Sequence, residues 1–184
     1  MDLMLDLETL GTLPTAVVVQ IAIVQFDPRT MVETTYRETC IEPQSELDLG
    51  CTVSGPTLSW WFLQPAATRD YWLKPRISPL NSHDAWSFIS NGLQTWAYDR
   101  IWCHTCFDMP IVDYHLNAWN LPLPDYRKWR DIRTLVDLSN MDLEEWKHHH
   151  VTMMEHNALQ DCRRQIHYCH EALMTVKGNQ QNGK

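Results

Sequence analysis

The chain has 184 residues, enough for one domain with a sizeable core and short for two. Hydrophobic residues make up 44% and charged residues 21%, which excludes a disordered chain, and no apolar run approaches the roughly 18 residues of a membrane-spanning helix. Fifteen Lys and Arg against 23 Asp and Glu leave a net charge of −8, the wrong sign for a protein that coats nucleic acid by bulk electrostatics.

The opening "MDLMLDLET" has neither a basic n-region nor an apolar h-region, so the expectation is a cytoplasmic protein with reduced cysteines. Three strands are expected first: residues 1–8 by alternation, 16–26 by a Val/Ile-rich run, and 31–41 by β-branched and aromatic content. Leu10-Gly11 with Pro14, then Asp27-Pro28-Arg29, supply the turns between them. Residues 56–73 and 82–98 read as helices, the second capped by Asn81 or Ser82. "RIWCH" is a short strand, Asp108 to Trp119 a helix ended by "NLPLP", and "KWRDIRTLVDL" a strand running into a helix. A long last helix is expected over 157–175. The expected fold class is α/β, a mixed central sheet flanked by helices, in one domain over 1–176 with a frayed polar tail at 177–184.

Five residues in this frame carry the chemistry. Asp6 and Glu8 in "LDLETLG" share one face of a strand, so two carboxylates can chelate one cation while Leu3, Leu5 and Leu7 enter the core. Asp108 in "CHTCFD" follows a buried strand at a helix N-cap, and Pro110 is tolerated in the first turn. In "HNALQD", His156 and Asp161 lie about 140° apart on an ideal helix and do not share a face there. Asn157 and Gln160 have Ncap-to-N3 spacing, however, which places His156 just before the helix and Asp161 on its first full turn. The two then converge on one point. Four oxygen ligands and a histidine suit Mg²⁺ or Mn²⁺ and phosphodiester hydrolysis by paired ions.

Other features carry weaker signals. Cys103 and Cys106 form half a zinc motif with no second half, so a zinc-dependent binding module ranks below two buried thiols on a strand and its turn. Arg127, Lys128, Arg130 and Arg133 cluster around Trp129 and read either as a phosphate contact or as a solvated basic face. Trp60 and Trp61 are adjacent, so on a helix they face different ways and one is available to stack on a base. The His148–His150 run reads as a mobile loop ahead of His156.

The ordered set Asp6, Glu8, Asp108, His156 and Asp161 resembles the DnaQ-like 3′→5′ exonucleases of the DEDDh group. "DLETLGTLPTAVVVQIAIVQFDP", "TLSWWFLQPAATR" and "WRDIRTL" extend the likeness over most of the chain. They are similar to the phage-type exonuclease-VIII-like and DexA-like branch and, more distantly, to the RNase AS group of RNA exonucleases. "CHTCFD" departs from relatives that carry Asn or Gly before Phe-Asp.

The resemblance implies an RNase H-like fold and two Mg²⁺ or Mn²⁺ ions held by Asp6, Glu8, Asp108 and Asp161, with Asp6 bridging. It implies His156 as general base and nucleoside 5′-monophosphates as product. Single-stranded 3′ ends are the expected partner, DNA favoured over RNA, with an exoribonuclease of the RNase AS type as the alternative. A catalytically inactive nucleic-acid-binding protein on the same fold is the other alternative. Thr9, Leu10, His104, Phe107, Trp60 and Arg133 are the expected substrate contacts. The aromatic surface permits a homodimer, and no membrane partner is expected.

Overall fold

The computed structural model describes residues 1–73, 78–150 and 156–182. Five strands form one mixed sheet: β1 (Asp2–Thr9), β2 (Val18–Phe26), β3 (Glu33–Cys40), β4 (Arg100–Cys103) and β5 (Trp129–Asp131). Their spatial order is β3-β2-β1-β4-β5, antiparallel from β3 to β1 and parallel from β1 to β5. β1 is therefore central and buried along its length. Its register against β2 slips between Glu8 and Thr9, an irregularity that turns the chain where the acidic pair ends.

Eight α-helices and a 3-10 turn (Tyr126–Lys128) among the described residues complete the fold: α1 (Pro43–Asp48), α2 (Gly55–Leu63), α3 (Ala66–Leu73), α4 (Ser82–Thr95), α5 (Asp108–Ala118), α6 (Ile132–Ser139), α7 (Leu143–His150) and α8 (Ala158–Asn182). Side chains of β1 alternate between two cores. Leu3, Leu5 and Leu7 pack with Ile21, Ile23, Trp86, Ile89 and Ile111, on the side of α4 and α5. Met4 packs with Ala22, Leu135, Leu159, Cys162 and Ile166, on the side of α6 and α8. By the same alternation Asp6 and Glu8 emerge on the α8 side. Gly92 lets α4 lie close on the sheet, since a Cβ there would meet Ile23 Cδ1 at 2.7 Å.

Several expectations change. The helix read over 56–73 is two, because Pro65 forces Gln64 into extended backbone (φ −64°, ψ 157°) and ends α2. The His148–His150 run is the end of α7, not a loop, and α7 itself was not anticipated. α8 continues to Asn182, so most of the polar tail is helical; residues 183–184 lie outside the described ones. Asn81 caps α4, its side chain accepting from Asp84 N at 3.0 Å. No helix among the described residues is long and apolar enough to cross a membrane.

A buried polar joint fastens one end of the fold. Glu46, on α1, accepts from Val18 N (3.2 Å), Ser82 Oγ (2.5 Å) and Trp86 Nε1 (3.1 Å), and faces His115 Nε2 at 2.6 Å. His115 Nδ1 donates to Ile111 O at 2.8 Å, and Trp86 stacks on the ring. Cys51 Sγ lies 3.3 Å from the same Nε2. Sequence reading did not find this cluster.

Candidate active site

The site is built where the end of β1 meets the start of α8. Asp6 and Glu8 come from the strand, Asp161 from the first turn of α8, Asp108 from the start of α5, and all four are buried. They line one cleft of about 590 Å³ together with His156. Ligand atoms of Glu8, His156 and Asp161 lie within 4.8 Å of one another.

Local sequence explains each placement. Asn157 caps α8, accepting from Gln160 N at 3.0 Å, and Gln20 on β2 fixes the same turn by accepting from Ala158 N at 2.9 Å. His156 sits just outside with φ 61°, a left-handed conformation that is strained for a residue with a Cβ. Its N–H donates to Asp161 Oδ2 at 3.2 Å, which ties the histidine to the carboxylate it was expected to meet. Asp108 departs from expectation: Phe107 occupies the N-cap, and Asp108 is the first helical residue. Its Oδ2 accepts from His104 N at 2.7 Å. Asp131 caps α6 through Thr134 N (2.8 Å) and holds Thr105 (2.8 Å to its hydroxyl), which fixes the "CHTCFD" turn from below.

The electrostatics are those of a crowded acidic centre, only partly offset by Arg164 and Arg133. Burial pushes Asp6 and Glu8 well above the usual carboxylate range, and repulsion from Asp161 and Asp108 adds to it. Burial lifts Asp108 to about 7. Arg164, one turn along α8, donates to Asp161 Oδ1 at 2.5 Å, and Gln165 Nε2 donates to Asp6 Oδ1 at 2.7 Å. Both were missed; their i+3 and i+4 spacing from Asp161 is the signal that puts them on its face. Buried carboxylates held this close are the donor set a hard divalent cation relieves.

The expected substrate contacts divide. Thr9, Trp60, His104, Phe107 and Arg133 line the cleft, joined by Thr57, Lys147 and Tyr168. Leu10 turns away and packs against the Val17, Val19 and Cys51 cluster. Trp61 is buried and donates to Thr9 O at 2.9 Å, while Trp60 is 43% exposed with its ring edge-on to His156, centroids 4.6 Å apart. His104 is driven down to about 4 by burial and by Arg133, so it is neutral near pH 7. Cys103 is buried and pushed well up by burial, but Cys106 is exposed, against the expectation of two buried thiols. Among the described residues the two join no group of metal-ligating side chains.

This sheet order and helical cover are those of the DnaQ-like exonucleases, which have the RNase H-like fold. E. coli exonuclease I in complex with a dT13 oligonucleotide matches with a TM-score of 0.63 at 15% identity, over 92% of this chain and 40% of that one. Exonuclease X in complex with 5′-overhanging duplex DNA matches with a TM-score of 0.58 at 17% identity, over 96% of this chain and 93% of that one. The chain thus spans less than half the length of exonuclease I. The 3′-5′ exoribonuclease Rv2179c-like domain family matches residues 1–173, and the chain belongs to it. The family is described as one of 3′-5′ exoribonuclease domains. A search of curated proteins found no match.

Proposed function

We propose that the protein is a metal-dependent exonuclease that shortens single-stranded RNA from its 3′ end and releases nucleoside 5′-monophosphates. One observation carries the reading: four buried carboxylates and His156 open on one cleft, with protonation pushed up at Asp6, Glu8 and Asp108. The choice of RNA over the DNA favoured by sequence rests on the family, whose name is that of exoribonucleases. The proposed unit is one exonuclease domain over residues 1–176, acting in the cytoplasm.

Asp6, Glu8, Asp108 and Asp161 would hold one or two Mg²⁺ or Mn²⁺ ions, which supply Lewis-acid stabilisation of the charge that grows on the scissile phosphate. His156 takes the proton of the attacking water, the role an imidazole suits at neutral pH. Its place is supported by the bond to Asp161 and by the flanking rings of Trp60 and Trp61. Trp60, Thr9 and Thr57 form the wall for the terminal nucleoside. Phe107 backs the wall on the α5 side. Arg133 and Lys147, which also line the cleft, meet the phosphates that follow along the strand.

The test is a time course on 5′-labelled single-stranded RNA and DNA of one sequence, with Mg²⁺, Mn²⁺ or EDTA. A ladder that shortens from the 3′ end, faster on RNA, needing metal and absent in Asp6→Ala, is the expected result. Faster loss of DNA would reverse the sugar assignment. No loss of either strand under any metal would replace the enzyme with a binding protein on the same fold.

A further inference from the structure

Gln165 lies on the face of α8 that carries Asp161, buried beneath the cleft at 4% exposure. Its Nε2 donates to Asp6 Oδ1 at 2.7 Å, and this is the side-chain hydrogen bond that Asp6 receives among the described residues. Its Oε1 is buried and has no hydrogen-bond partner among the described residues. Turning the amide over would set its oxygen against a carboxylate oxygen at the same distance, so Asp6 fixes its orientation. The result is an orphaned acceptor inside the protein, which disfavours folding. A methionine of similar length would fill the space and leave no orphan. A residue kept polar at a stability cost points to a task other than stability.

We propose that Gln165 is a positioning residue for Asp6. Its amide N–H grips one carboxylate oxygen on the central strand and fixes the plane of the group against repulsion from Glu8, Asp161 and Asp108. This rests on the reading above, in which Asp6 helps to hold the divalent cation. Partners behind metal-binding carboxylates typically change metal affinity or activity by about 10–100-fold when removed. Gln165 is neutral, so replacing it with an apolar residue removes no formal charge from the site while it releases Asp6.

The test compares the full chain with Gln165→Met and Gln165→Leu. Mn²⁺ affinity is measured by calorimetry, melting temperature with and without Mn²⁺, and kcat and KM on a labelled oligonucleotide. The expected variants melt within about 2 °C of wild type without metal. They bind Mn²⁺ about tenfold more weakly and turn over about 10–100-fold more slowly, with KM within twofold. Turnover with Mg²⁺ falls further than with Mn²⁺, because Mg²⁺ demands near-ideal octahedral geometry. Wild-type Mn²⁺ affinity and kcat in both variants would overturn the proposal. So would a melting temperature lowered by many degrees with normal Mn²⁺ affinity, the mark of a packing role. Wild-type protein that takes up no Mn²⁺ would overturn the parent reading as well, whereas loaded wild type beside indifferent variants overturns this one alone.

Discussion

Two buried clusters of titratable side chains differ in one respect: whether their charge is answered. Burial pushes Glu46 upward just as it pushes Asp6, but the hydrogen bond and charge of His115, with Ser82 and Val18, outweigh it and hold Glu46 below its ordinary 4.5. In the cleft, burial and the neighbouring carboxylates act in the same direction, and Gln165 gives Asp6 only one opposing bond. Both carboxylates are buried, yet they shift in opposite directions. A buried carboxylate that is satisfied is a joint; one crowded by its own kind marks a place built to receive positive charge.

The sharpest way to break this contrast is to remove one carboxylate from each cluster. Asp6→Asn is expected to lower single-turnover hydrolysis more than about 1,000-fold, roughly 4 kcal/mol of barrier. Its metal-free melting temperature stays level or rises, because a like charge has gone. Glu46→Ala should do the reverse, costing about 3–5 kcal/mol by stranding the buried His115, while kcat of the folded fraction changes little. Thermal melts and active-site-titrated kinetics on both variants decide it. An unstable Asp6→Asn beside a stable Glu46→Ala would invert the assignments. Within the cleft, His156→Ala should slow turnover about 100–10,000-fold with Mn²⁺ affinity nearly unchanged. Near-normal turnover at neutral pH would remove the base.

Proton linkage sharpens the same contrast. Asp108 titrates near 7 in the folded protein against an ordinary 3.8, so the folded chain binds the extra proton between those values. Its contribution to metal-free stability is present below about 3.8 and is lost as pH rises through about 7. Glu46, held below its ordinary value, contributes stability present above 4.5 and lost as pH falls through the lowered one. Metal-free melting temperature should therefore decline from pH 5 toward 8, and Asp108→Asn should flatten that decline. Activity should rise over the same range, as the carboxylates lose the protons that compete with the cation. A metal-free melting profile that climbs toward pH 8 would contradict the crowding of the cleft.

Sequence made the cleft legible and the joint invisible, for a physical reason. Asp6, Glu8, His156 and Asp161 stand in short motifs whose strand alternation and helix cap can be read locally, and those rules place side chains within a few residues. Glu46, Cys51, Ser82 and His115 are far apart in the chain and meet only through packing, so no spacing announces them. Asp108 shows the boundary between the two cases. Its neighbourhood was legible, but not its exchange of the cap position with Phe107, which follows from the bond to His104 N. Leu10 was misjudged because the slip of register after Glu8 turns it from the cleft into the Val17 cluster. The split at Pro65 was available from the rule for residues before proline and was overlooked.

The smallest expected effect lies at two cations that line the cleft, Arg133 and Lys147. Arg133 is exposed on α6, and Lys147 on α7 is shared with Glu144 at 2.8 Å. If they meet phosphates beyond the scissile one, Arg133→Ala should lower the salt dependence of RNA binding by about 0.7 in log–log slope, and Lys147→Ala by less because Glu144 already competes for it. kcat should be unchanged and KM should rise by a similar factor for every sequence, since phosphate contacts carry no base information. A dinucleotide has no phosphate beyond the one that is cut, so on it neither substitution should matter. A fall in kcat for Arg133→Ala on the dinucleotide would move this cation to the reacting phosphate. It would then help to answer the charge of the acidic cluster, and the cleft would be less unlike the Glu46 joint than its carboxylates make it.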